Sequence, residues 1–270
     1  MPNSSDDSGR PIIELRNLSK QFGPQEILRD ITLLVRAGET LVLIGESGCG
    51  KSVTMKLMMG LMAPSSGDVQ WDGVSIVGRS DEELVRDRLR FGYLFQGAAL
   101  FDSMNVYENI AFGLRQNTKM SEKLMRETVF ERIKDVGLTP SSAHMMPSEL
   151  SGGMKKRVGL ARAMALMPDI ILYDEPTTGL DPANSRRIGQ LILRLPSELN
   201  VTPVVVTHEI ELCLAVSDRI VLLDRGQLRI EANVEEFRSS TAPEVLAFLG
   251  KSDDPRERSL AGREGESHAG

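Results

Sequence analysis

The sequence predicts an α/β fold, a mainly parallel β-sheet with helices on its faces, and three observations predict it. Four short runs are apolar at nearly every position: "TLVLIG" at 40–45, "DIILY" at 169–173, "VVVTH" at 204–208 and "RIVLLD" at 219–224. Strands buried on both faces of a parallel sheet read this way. Segments of helical periodicity separate the runs, as the crossovers of a parallel sheet require. The first run also leads straight through a glycine-rich loop into a helical pattern, so strand, tight loop and helix follow in that order.

The remaining elements follow in chain order. Residues 1–10, MPNSSDDSGR, are polar and acidic; they are expected to form a disordered arm and not a secretory signal. Ile12 to Leu18 and Ile27 to Val35 are β-favouring runs with "FGPQ" as the turn between them, and Arg36-Ala37-Gly38-Glu39 is a second turn. After the glycine-rich loop, Val53, Leu57, Met58, Leu61 and Met62 fall at helical spacing. Met55, Met58, Met59 and Met62 are expected on that helix as core packing. From Ser80 to Pro147 charge and helical periodicity rise, as in "SEKLMRETVFERIKDVGL", which predicts a mostly helical insertion. Pro203 is expected at the first position of its strand, where a missing N–H costs least. The tail after Gly250 is polar and expected to be disordered. No internal repeat is visible.

Composition narrows the function classes. The chain has 270 residues, 41% of them hydrophobic, enough for a sizeable core. Its net charge of -6 argues against a general nucleic-acid binder, which carries a basic excess. Two cysteines, Cys49 and Cys213, make no disulfide framework, as expected of a protein in a reducing compartment. No apolar run approaches the roughly 18 residues that span a bilayer. Work at a membrane would require another chain to bring this one there.

Gly45-Glu46-Ser47-Gly48-Cys49-Gly50-Lys51-Ser52 carries the G-x-x-x-x-G-K-S spacing of a phosphate-binding loop. The glycines let the backbone wrap so that successive N–H groups point at phosphate oxygens, and the helix that starts there adds its positive end. Lys51 would place a charge between the β- and γ-phosphates, and Ser52 would bind Mg²⁺. Cys49 reads as loop filler more readily than as a redox thiol. "IILYDEP" sets Asp174 and Glu175 at the C-terminal tip of a buried strand, where such sheets hold ligands. Asp174 would support the Mg²⁺ shell and Glu175 would polarise the attacking water as general base. His208 ends a third strand at the same edge, within reach of the γ-phosphate. His144 and His268 have no such context and read as surface residues.

These pieces in this order resemble the ATP-binding cassette (ABC) ATPases, over about residues 12 to 235. "LSGGM" at Leu150 to Met154 resembles that family's signature sequence, Gln96 in "YLFQ" its Mg²⁺-binding glutamine, and "TGLDP" its D-loop, with Asp181 at a dimer seam. Phe22 falls where the family stacks an aromatic ring on adenine, and Val53 falls just after the loop. The resemblance implies a phosphate-loop NTPase (RecA-like) core, an N-terminal antiparallel β-subdomain and a helical insertion over about residues 80–165, within one cassette spanning 11–250. It implies ATP and Mg²⁺ as ligands. It also implies a head-to-tail dimer with a second copy, in which Ser151, Gly152 and Gly153 reach the γ-phosphate held by the other subunit. Ser151 caps a helix whose apolar face is Met154, Val158, Ala161 and Ala165, with Pro168 beyond its end.

Most of that family has Gln where this chain has Met154. "MPSELSGGM" with "LFQGAALFDSMNVYENI" resembles the ATPase subunit of the Mla/Mce-type phospholipid transporters. That resemblance implies a transmembrane permease partner and a place on the cytoplasmic face of an inner membrane. A small regulatory subunit and a lipid-binding periplasmic MCE-type subunit are further expected partners, and nucleic acid is not. The alternative is the ATPase of another ABC importer or exporter, for a nutrient or a drug. A translation-type protein would carry two cassettes, and a repair-type protein a long coiled coil or zinc insert. A cassette that binds ATP without cleaving it is opposed by Lys51, Glu175 and His208.

Overall fold

Alternation along four strands divides the interior into two cores. The computed structural model describes residues 9–250; the expected tail at 251–270 lies outside them, as do His268 and all but the last two residues of the expected arm. Strands β1 (Pro11–Phe22) and β2 (Gln25–Arg36) form an antiparallel hairpin, and β3 (Leu41–Ile44) is buried at every position. Helix α1 (Lys51–Met58) follows the loop, and β4 (Ser66–Trp71) and β5 (Val74–Ser75) complete a four-stranded sheet in the order β2-β1-β4-β5. Then come α2 (Asp81–Asp87), β6 (Phe91–Leu94), α3 (Val106–Asn117), α4 (Glu122–Asp135) and α5 (Gly152–Met164). The chain continues with β7 (Ile170–Asp174), α6 (Pro182–Leu199), β8 (Thr202–Thr207), α7 (Ile210–Val216) and β9 (Arg219–Asp224). It ends in β10 (Gln227–Ala232), α8 (Val234–Ser239) and α9 (Pro243–Phe248).

The second sheet has the order β10-β9-β3-β8-β7-β6, parallel throughout except for the antiparallel edge strand β10. Leu41, Leu43, Leu172, Val204, Val206 and Val221 point into a core shared with α1 and the antiparallel sheet. Their neighbours Val42, Ile44, Tyr173, Val205, Ile220 and Leu222 point into the other core, with Ile110, Leu114, Val129 and Ile133 of the helical region. Successive strand side chains face opposite ways, so a continuously apolar run fills both layers at once. Among the described residues no helix is long and apolar enough to cross a membrane.

Three details differ from the sequence-based expectation. The helix after the loop stops at Met58, because Gly60 takes a left-handed φ of 63°. Met59 is still buried and Met62 packs at the core margin, but both lie past the helix end, and Leu61 is exposed. The stretch from Ser80 onward contains a core strand, β6, which pairs in parallel with β7. Pro203 is the second residue of β8, not the first, although β8 is central in the sheet. It faces Ile171 on one side, and pairing with β3 begins only at Val204, so its missing N–H falls at the ladder's end.

Candidate active site

The glycines of the loop are required by space as well as by backbone angle. A Cβ on Gly45 would lie 2.2 Å from the Leu223 carbonyl oxygen. Gly50, the N-cap of α1, has φ 112°, and a Cβ there would meet Leu28 at 2.5 Å. The loop therefore wraps against β9 and β2 with no room for side chains at these two positions. Lys51, 6% exposed, folds back over it: its Nζ donates to the carbonyls of Gly45 at 2.7 Å and Glu46 at 2.9 Å, and lies 3.8 Å from Glu175 Oε1. Cys49 is half-buried within the loop, and burial pushes its thiol up, which disfavours the reactive thiolate.

The tips of β7 and β8 converge on this loop. Ser52 Oγ donates to Asp174 Oδ1 at 3.1 Å, and the Tyr93 hydroxyl donates to Asp174 Oδ2 at 2.9 Å. Burial, then the Asp174 charge beside it, pushes the Tyr93 phenol far up, so it remains a donor. Glu175 is nearly buried, with a left-handed φ of 47°. Its Oε2 accepts from His208 Nδ1 at 2.8 Å and from the Thr178 hydroxyl at 3.3 Å. The carboxylate only accepts, so Nδ1 carries the proton in this contact. Its backbone is bonded as well: the N–H donates to the Val206 carbonyl and the C=O accepts from Lys156 Nζ, each at 2.9 Å.

A cavity of about 360 Å³ joins most of the expected residues. Its walls include Phe22, Ser47, Gly48, Gly50, Lys51, Ser52, Val53, Gln96, Glu175 and His208. Phe22 is exposed at the rim, with Lys20 Nζ 5.0 Å over its ring. Asp174 joins through Ser52, and Gly45 and Glu46 join through Lys51. Ser151, Gly152, Gly153 and Asp181 are not part of this cavity wall. Ser151 caps α5 by accepting from Met154 N at 3.3 Å, and Ser151 and Gly152 are exposed at that helix start. Asp181 caps α6 by accepting from the backbone N–H groups of Asn184 and Ala183, and the backbone and side-chain bonds from Asn184 above all hold its carboxyl below the usual carboxylate range. The two regions meet: a Cβ on Gly153 would lie 2.5 Å from the Asn184 side chain, which itself donates to Asp181 at 2.6 Å.

Three contacts were not visible in the sequence. Tyr93 and Thr178 sit within motifs that the sequence singles out, but neither signals its partner. Lys156 lies in the basic run Lys155-Lys156-Arg157, in which nothing marks one member as buried.

A phosphate loop under an acid-bearing and a histidine-bearing strand tip, an antiparallel sheet carrying an aromatic rim and a separate capped signature helix define an ABC-type nucleotide-binding cassette. Residues 28–178 match the ABC transporter family (ABC_tran), and the chain belongs to it: it is an ABC ATPase. It is 42% identical over 257 residues to the "Probable ribonucleotide transport ATP-binding protein mkl" of Mycobacterium leprae, across 92% of this chain and 74% of that one. It is 40% identical over 245 residues to the "Intermembrane phospholipid transport system ATP-binding protein MlaF" of Haemophilus influenzae, across 90% of this chain and 92% of that one. Among solved structures, the ATP-binding cassette MJ0796, a dimer in a post-hydrolysis state bound to ADP and Pi, superposes with a TM-score of 0.76 at 32% identity. That match covers 82% of this chain and 98% of the other.

Proposed function

We propose that this chain is the ATP-hydrolysing subunit of a transporter that moves phospholipid between an inner membrane and a periplasmic or outer-membrane acceptor. The observation that carries the cargo reading is the near end-to-end match to the Haemophilus protein named for intermembrane phospholipid transport. The alternative, the ATPase of another importer or exporter, is not favoured, although the mycobacterial relative is named for ribonucleotide transport.

In the proposed reaction the loop N–H groups and Lys51 hold the β- and γ-phosphates of ATP, and the Phe22 ring stacks on adenine. Ser52, Gln96 and Asp174 offer only oxygen donors, the chemistry that Mg²⁺ accepts alongside substrate phosphates. Bound there, the ion would neutralise charge on the β- and γ-phosphates. Glu175 takes the proton of the attacking water. With Nδ1 donating to Glu175, His208 can donate to a γ-phosphate oxygen from Nε2 only when both ring nitrogens carry protons. Ser151, Gly152 and Gly153 would complete the site of a second copy, and Asp181 would lie at the seam between the copies.

The chain has no membrane-spanning helix among its described residues, so a permease would hold it peripherally at the cytoplasmic face. A small regulatory subunit and a lipid-binding periplasmic subunit would complete the assembly. Purification from membranes tests this. A permease and a lipid-carrying periplasmic subunit should co-purify, and ATPase activity of the complex should respond to phospholipid or a lipid-accepting partner. A soluble nutrient that binds the assembly and stimulates turnover would overturn the lipid reading and leave the ATPase assignment standing.

A further inference from the structure

Lys156 is a lysine almost wholly withdrawn from water, 4% exposed, that directs its ammonium to a backbone carbonyl. The carbonyl is that of Glu175, 2.9 Å away. Burial pulls the ammonium toward neutrality, while the charges of Asp174, Glu175 and Glu209 hold it charged. Burying a long side chain for one bond is expensive in entropy and desolvation. Glu175 is itself strained, because a left-handed backbone is unfavourable for a residue with a Cβ. Surrounding bonds must hold such a residue in place. Its N–H is held from β8, its carboxylate from His208, Thr178 and the phosphate-loop Lys51, and its carbonyl also from the Thr178 N–H at 3.4 Å. The Lys156 bond alone among them comes from α5.

Helix α5 begins with Ser151 as its cap, and Lys156 lies five residues further on, about 7.5 Å along the axis. The exposed end of α5 faces outward with the signature residues, while the next turn grips the backbone of the glutamate. We propose that Lys156 is a positioning residue that links the placement of the signature helix to the alignment of the Glu175 carboxylate. A shift of α5 when Ser151, Gly152 and Gly153 engage phosphate is carried by this bond to the peptide unit of Glu175. The charge-assisted bond makes the link stiffer than a neutral donor would. This inference rests on the reading of Glu175 as general base.

The test uses the full-length chain in its assembled transporter, with ATP as the probe. Lys156→Met keeps the bulk of the side chain and removes the donor. It should lower kcat about 10- to 100-fold, the scale of a misaligned catalytic group, with KM for ATP within about 2-fold of wild type. Lys156→Arg, which restores a charged donor, should recover much of the loss. In the Glu175→Gln background the same Lys156→Met change should produce no further loss of turnover, because a positioning residue has nothing left to position. If Lys156→Met does not fold, Lys156→Gln takes its place, and an intermediate kcat at unchanged KM is then expected. Wild-type kcat in the folded variant would overturn the inference, as would a loss that multiplies with Glu175→Gln. Near-normal turnover in Glu175→Gln alone would instead remove the glutamate reading, and this inference with it.

Discussion

His208 Nδ1 stands 2.8 Å from Glu175 Oε2, so the tip of β8 orients the carboxylate carried by the tip of β7. The opposite oxygen, Oε1, lies 3.8 Å from Lys51 Nζ. The carboxylate is thus placed between the imidazole and the lysine of the phosphate loop. It is held by contacts to both, in a backbone conformation that few residues adopt.

Glu175→Gln keeps this shape and removes the base. The variant should bind ATP and cleave it about 10²- to 10⁴-fold more slowly, the usual loss for a general base. Uncleaved ATP shared between two copies should then hold them together, so the variant should dimerise with ATP by size-exclusion chromatography. Near-normal turnover would show that another group takes the proton.

What could be read from the sequence follows from which physical signal each element carries. The tips bearing Asp174, Glu175 and His208 were legible because strands buried on both faces are continuously apolar and end abruptly in polar residues. Strand β10 was not, because "QLRIEA" is a half-exposed edge whose pairing partner alone makes it a strand. The overrun of α1 to Met62 came from apolar spacing that continues through Gly60, whose backbone angle carries no periodicity signal. Lys156 was illegible for a different reason. Its environment comes from Glu175, 19 positions away, and nothing in a basic run marks one member as buried until the fold covers it.

Gly92 in β6 tests how tightly α5 sits on the sheet. A Cβ there would lie 2.5 Å from the Ala163 carbonyl oxygen, a backbone atom that cannot swing aside. Gly92→Ala should push α5 outward and cost about 1–3 kcal/mol, the range for overpacked cores. Thermal unfolding should then fall by several degrees, at roughly 2–4 °C per kcal/mol for a domain of this size. An unchanged midpoint would mean that α5 moves freely against β6.

Phe101 lies in the segment after Gln96, which the resemblance to the ABC ATPases expects to form the groove that takes a short permease helix, and it tests that expected contact. It is 41% exposed, tilted against Phe112 with ring centroids 4.8 Å apart and with Arg162 5.6 Å over its ring. Packing in the helical core is the competing account of this residue, and its exposure weighs against it. Phe101→Asp should leave thermal unfolding of the isolated subunit nearly unchanged while membrane recruitment and transport fall. A large loss of stability would assign Phe101 to the core, and normal recruitment would move the docking surface elsewhere.

The arrangement of Ser151 outside the Lys51 cavity can be tested by separating two defects between chains. A mixed dimer carries Lys51→Ala in one copy and Ser151→Arg in the other. If Ser151 acts on the phosphate held by its partner, one composite site contains both defects and the other contains neither. That dimer should bind ATP analogue at one site with near-normal affinity. If each copy used its own Ser151, both sites would carry one defect and both would be damaged. Either homodimer is impaired at both sites in both arrangements, so only the mixed dimer discriminates. Differently tagged copies, purified in tandem, allow occupancy to be counted per dimer. Occupancy is the better readout than turnover, because cleavage at one site can require closure of both. One occupied site per mixed dimer supports assembly across the two copies, and loss of both would return Ser151 to its own chain's site.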